Sequence, residues 1–130
     1  MTGSPVLEFR ELGLSPTCID NYRVCVFSDG TIKEMRNELE CDPDKQWSGN
    51  WTTIKKLGHD HVIRLKEYLS NSGFSGLPEF IEDMNKGSTD GIYTEIEIWL
   101  DDTHHKSTLV SGESPVFDNV HQYLLSLLRD

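Results

Sequence analysis

The sequence predicts a single α+β domain spanning 1–130, an antiparallel sheet of about five to six strands with two amphipathic helices packed on one face. Three observations predict it. Residues 92–100 alternate strictly, with Ile92, Thr94, Ile96, Ile98 and Leu100 on one side and Tyr93, Glu95, Glu97 and Trp99 on the other. Residues 114–129 open on Ser114-Pro115 and carry Phe117, Val120, Leu124, Leu127 and Leu128 at helical spacing. Residues 21–35 read as two alternating strands joined at Asp29-Gly30.

The elements follow in order. Residues 6–12 form a first strand, with Leu7 and Phe9 interleaved by charges. In the hairpin, Tyr22, Val24 and Val26 face one way and Arg23, Cys25 and Phe27 the other, and Asp29-Gly30 supplies the central positions of a type I′ turn. Residues 38–50 hold Asp42-Pro43-Asp44 and Ser48-Gly49-Asn50, which is loop chemistry. Trp51-Thr52-Thr53-Ile54 makes a further strand that Gly58 ends, and Asp60 is placed as the N-cap of a helix. That helix turns Val62, Leu65 and Leu69 inward together with Ile63 and Tyr68, and Asn71-Ser72-Gly73 stops it. Phe74 and Leu77 fold back on the core. Residues 78–90 form an irregular connection with a short helical turn at 79–84, long enough to be a candidate binding loop. After the alternating strand, residues 101–104 turn the chain and residues 106–110 pair back.

Composition narrows the function classes. Hydrophobic residues make up 36% and charged residues 26%, a globular balance. Formal net charge is −10, of which residues 1–65 carry −2 and residues 66–130 carry −8. Such a field repels phosphate backbones and anionic lipid, so neither nucleic acid nor a membrane surface is an expected partner. It attracts a basic protein, while an acidic surface also serves simple solubility. No run is apolar and long enough to span a bilayer, and residues 1–13 lack a basic stretch followed by an apolar one, so the expected setting is cytoplasmic. Cys18, Cys25 and Cys41 match no zinc spacing, and Cys25 reads as a small buried hydrophobe.

Candidate chemistry is sparse. His59-Asp60-His61 lies at a helix start, where i and i+2 side chains do not converge. Asp101, Asp102, His104 and His105 crowd one turn and are competent metal ligands, although turns favour Asp for backbone reasons alone. There is no G-x-S-x-G elbow, no G-x-G-x-x-G and no P-loop, and no catalytic residue, metal ligand or cofactor is assigned. Glu95 and Glu97, roughly 7 Å apart on one strand face, could do acid–base work if desolvated, or be solvated or paired with Arg23. Tyr93 and Trp99 flank them, giving aromatic anchors amid negative charge. Trp99 is open to a partner or covered by the 47–51 segment.

The stretch Asn21-Tyr22-Arg23-Val24-Cys25-Val26-Phe27-Ser28-Asp29-Gly30-Thr31 resembles a widespread bacterial domain family of unknown function. That family opens with a Cys-Pro-x-Tyr strand running into an Asp-Gly hairpin. A Gly-rich strand, a helix, a loop, a strand pair and a terminal helix follow. The resemblance covers the order of elements from about Cys18 to Leu128. Here Cys18 is followed by Ile19-Asp20-Asn21 where the family places Pro and one further residue, so no role of a Cys-Pro pair carries over. The resemblance implies the fold and no activity.

Two functional expectations result. The first is a non-catalytic protein-interaction module, of the inhibitor or immunity type, that binds a basic partner through Tyr93, Glu95, Glu97 and Trp99. The alternative is a small metal-assisted hydrolase using the Asp/His turn at 101–105.

Overall fold

The computed structural model describes residues 3–14, 19–40, 51–81, 92–110 and 114–129. In chain order the elements are β1 Pro5–Leu14, β2 Ile19–Phe27, β3 Thr31–Glu40, β4 Thr52–Lys56 and α1 His59–Asn71. A 3-10 turn at Phe74–Gly76, β5 Phe80–Ile81, β6 Ile92–Trp99, β7 His104–Leu109 and α2 Pro115–Arg129 complete the set. The described strands form one seven-stranded sheet in the order β4-β3-β2-β1-β6-β7-β5.

The fold class is α+β as expected, but the sheet is larger and not wholly antiparallel. The parallel pair is β5 with β7. It occupies part of the segment read from sequence as a helical turn at 79–84. The main chain there is drawn out straight because the edge of β7 offers partners: the amides of Thr108 and Val110 donate to the carbonyls of Glu79 and Ile81 at 2.7 and 2.9 Å. Residues 82–90 lie outside the described residues, as do Cys18, Cys41 and Trp47.

The hairpin between β2 and β3 is a three-residue loop rather than a two-residue type I′ turn. The Gly30 amide donates to the Phe27 carbonyl at 2.9 Å, so Ser28 and Asp29 are the central residues. Gly30 follows with φ +93°, and a Cβ there would stand 2.2 Å from the Leu57 carbonyl oxygen. The Asp29 carboxylate accepts the Thr31 amide at 2.9 Å, which holds its pKa below the usual carboxylate range.

Both helices lay their apolar stripes on one sheet face. Val62, Leu65 and Leu69 of α1 and Phe117, Val120, Leu124 and Leu127 of α2 join Leu7, Phe9, Val24, Val26, Ile32, Ile96 and Ile98 in one core cluster. Phe74 is fully buried there and Leu77 packs against it, so both fold back as the sequence implied. Tyr68 of α1 stacks on Tyr123 of α2 with ring centroids 4.3 Å apart.

Helix starts divide the two sequence signals. At α2 the Phe117 amide donates to the Ser114 hydroxyl at 3.2 Å, the expected cap. At α1 the cap residue is Gly58, with no side-chain cap, and Asp60 lies inside the first turn. There its charge still opposes the positive end of the helix dipole. Ile63 is exposed, because one residue beyond Val62 rotates about 100° away from the buried stripe. No helix among the described residues is long and apolar enough to cross a membrane.

Candidate functional site

The sheet face away from the helices is built of charge. The register sets Arg23 of β2 opposite Arg10 of β1, Arg10 opposite Glu95 of β6, and Glu95 opposite Thr108 of β7. The next row runs Cys25, Glu8, Glu97 and Lys106. Directly opposite neighbours therefore include two like-charged pairs, Arg23 with Arg10 and Glu8 with Glu97, an arrangement that destabilises a sheet unless other contacts offset it.

The offset comes from contacts along and between the two rows. Arg10 Nη2 donates to Glu97 Oε1 at 2.7 Å and Nη1 to Glu95 Oε2 at 3.3 Å, while Nε pairs with Glu8. Arg23 Nη2 reaches both Glu8 oxygens, at 3.1 and 3.0 Å. Thr108 Oγ1 donates to Glu95 Oε1 at 3.0 Å. Arg10 is thus the hub for all three carboxylates. Burial works against its charge, but the Glu97 hydrogen bond and the nearby Glu8, Glu97 and Glu95 charges together hold its pKa above the ordinary value.

Two sequence expectations are corrected here. The face is not open: the Glu95 and Glu97 side chains are only 18% and 13% exposed. The cation between them is Arg10, whereas Arg23 serves Glu8. Burial pushes Glu97 toward the protonated form, but hydrogen bonds from Arg10 and His104 outweigh it and keep its pKa below the usual glutamate range. Glu97 is therefore a poor proton acceptor at neutral pH. Cys25 is buried on this face, and desolvation, with the Glu8 charge, pushes its thiol up to about 12, which makes it inert as a nucleophile.

Trp99 is half-buried and its cover is also local. The His104 ring stacks on it with centroids 5.3 Å apart and planes inclined by 17°. His104 Nε2 meets the second Glu97 oxygen. Trp51, the described part of the segment proposed as a cover, instead places its ring 4.9 Å from the Arg23 guanidinium carbon. Tyr93 stands on β6 opposite Leu12, and its side chain lies outside the described residues.

The Asp/His turn does not converge. Leu100 and Thr103 exchange backbone hydrogen bonds at 2.7 and 3.4 Å around Asp101-Asp102. His104 then points to the charged face, while His105 packs edge-on to Phe74 at 5.8 Å. Its Nε2 lies 2.6 Å from the Leu77 carbonyl, which makes that nitrogen the protonated one. Among the described residues no cluster of three or more His, Cys, Asp or Glu could hold a metal ion.

Beside the His104–Glu97 contact lies a pocket of about 390 Å³ lined by Glu79, Phe80, Glu97, His104, His105 and Lys106. Phe80 is 62% exposed on the two-residue edge strand β5. Neither Phe80 nor Arg10 is among the site residues the sequence predicts. Phe80 sits in a stretch without periodicity, and Arg10 meets its partners across 85 and 87 residues of chain. The alternation of Glu8 and Arg10 with Leu7 and Phe9 was the available signal for Arg10. Neither protein-family models nor curated proteins yield a match to this chain.

Proposed function

We propose that this domain is a non-catalytic protein-interaction module for a basic partner, docking beside β6 and β7 around Trp99, Glu97, Phe80 and Glu79. Tyr93 and Glu95 extend the same strand behind that surface. The observation that carries the reading is Phe80, a large ring left mostly exposed on an edge strand next to a pocket with two carboxylates. The net charge of −10 adds long-range attraction for a basic partner and orients its approach. A small inhibitor or immunity-type protein, acting in the cytoplasm, is the concrete form of the proposal.

The test begins with capture of the partner on the immobilised chain, followed by association kinetics over a range of salt. A basic protein bound one-to-one, with association that slows steeply as salt rises, is the expected result. Phe80→Ala should weaken the complex about tenfold or more if the ring is an anchor, and Glu79→Lys should slow association. Glu95 and Glu97 are unsuitable for charge reversal because both hold Arg10. Salt-insensitive association, or indifference to both substitutions, overturns the reading.

A further inference from the structure

The His104 ring occupies a place that suits a different cation. It lies flat on Trp99, meets the free oxygen of Glu97 and borders the pocket that Phe80 and Glu79 line. The other Glu97 oxygen belongs to Arg10, so one acceptor position faces the pocket. The His104 side chain is 60% exposed, and nothing described encloses it. An aromatic face beside a carboxylate oxygen recognises a planar cation by stacking and by charge-assisted hydrogen bonding together.

We infer that Trp99, Glu97 and Phe80 form a subsite for an arginine side chain of the basic partner, and that His104 is its displaceable occupant. The inference rests on the reading of the domain as a module for a basic partner and names the residue it recognises. Arginine fits better than lysine, because its flat guanidinium can stack on Trp99 while donating in its own plane to Glu97. The charges facing His104 are Glu97 from β6, Arg10 behind it from β1, Lys106 from β7 and Glu79 beside β5. Glu8, Glu95 and Glu97 outnumber Arg10 and Arg23 in this cluster, so its excess negative charge leaves Glu97 attractive to a second cation.

Glu97 is ionised at neutral pH, since its pKa is held below the ordinary glutamate value, and it remains an acceptor for whichever cation stacks on Trp99.

Hexa-arginine and hexa-lysine peptides serve as probes, with binding to the full chain measured by calorimetry at low salt and neutral pH. Wild type is expected to take hexa-arginine more tightly than hexa-lysine. His104→Ala should bind hexa-arginine about fivefold more tightly than wild type, the order of one exposed competitor for Glu97 removed. Trp99→Leu should weaken hexa-arginine in both backgrounds. Thermal melts establish folding, and His104→Ala removes only an exposed side chain. If Phe80→Ala weakens hexa-arginine binding but His104→Ala leaves the affinity unchanged, the arginine subsite is wrong and the basic-partner reading stands. Equal affinity of His104→Ala for the two peptides also overturns the subsite. Failure of wild type and His104→Ala alike to bind hexa-arginine overturns both.

Discussion

The two faces of the sheet solve burial by opposite means. Beneath the helices, Leu7, Phe9, Val24, Val26, Ile96 and Ile98 pack without directional demands, and any well-fitting apolar neighbour satisfies them. On the other face, Glu8 is buried and Arg10, Arg23, Glu95 and Glu97 are largely withdrawn from water, yet each needs a partner at a set place. A buried ion pair adds little to stability over an apolar equivalent, but the loss of one member leaves a charge without compensation. The apolar face therefore supplies the bulk of the stability. The charged face supplies register, because a one-residue slip of a strand would turn its charges under the helices and its apolar side chains to the other face.

The largest expected effect lies on the apolar side. Phe117→Ala deletes a fully buried ring from the centre of the cluster and should cost about 3–5 kcal/mol, measured by urea denaturation. That loss should be nearly the same at pH 7 and at pH 4, since no charge is involved. Arg10→Met tests the other face and should cost about 2–4 kcal/mol at pH 7, because Glu8, Glu95 and Glu97 then face one another without their shared cation. Here the pH response should separate the two. In the wild type, the depressed Glu97 pKa means stability fully present above the ordinary glutamate value and lost as pH falls through the lower folded value. In Arg10→Met the Arg10 share of that contribution is gone and only the His104 contact is left, so the gap between the two proteins should narrow as the pH is lowered below about 4. A gap that stays constant with pH would show that Arg10 acts as apolar packing rather than as the hub.

The same contrast decides how much of the molecule was legible beforehand. The apolar face was readable because its signal is periodic and local: Phe117, Val120, Leu124 and Leu127 mark one helix stripe, and Ile96 and Ile98 one strand side, whatever they pack against. The charged face was readable only as an alternation. Glu95 and Glu97 were identified as sharing a side, but their partner Arg10 depends on β1 lying between β2 and β6, a long-range pairing that no local pattern encodes. The open-face expectation failed for that reason. Metal chemistry at the Asp/His turn requires His104 to converge with His105. Adjacent residues on a strand point to opposite faces, and that separation places one imidazole on Trp99 and the other against Phe74. The Asp60 cap failed for a smaller reason: the helix starts one residue earlier than the first good capping side chain, and a glycine fills the position.

The smallest expected effect asks whether the apolar face is wholly free of titration. His121 of α2 stacks on Phe9 with centroids 4.2 Å apart and planes inclined by 10°. Burial there disfavours the imidazolium, and although Glu11 and Asp118 pull the other way, the net result is a pKa below the ordinary histidine value. The sign follows from linkage. As pH falls below about 6.5, the unfolded chain takes up this proton before the folded one does, so folding stability declines until the folded pKa is passed. Glu97 is silent in that range, because its contribution is lost only below the ordinary glutamate value. Comparing melting temperatures at pH 7.5 and pH 5.5 therefore isolates the apolar face. His121→Phe keeps an aromatic ring against Phe9 and removes the ionisable nitrogens, so it should flatten the decline while leaving the melting temperature at pH 7.5 nearly unchanged. A decline that survives the substitution would show that His121 is not its source and would break the separation of the two faces by pH.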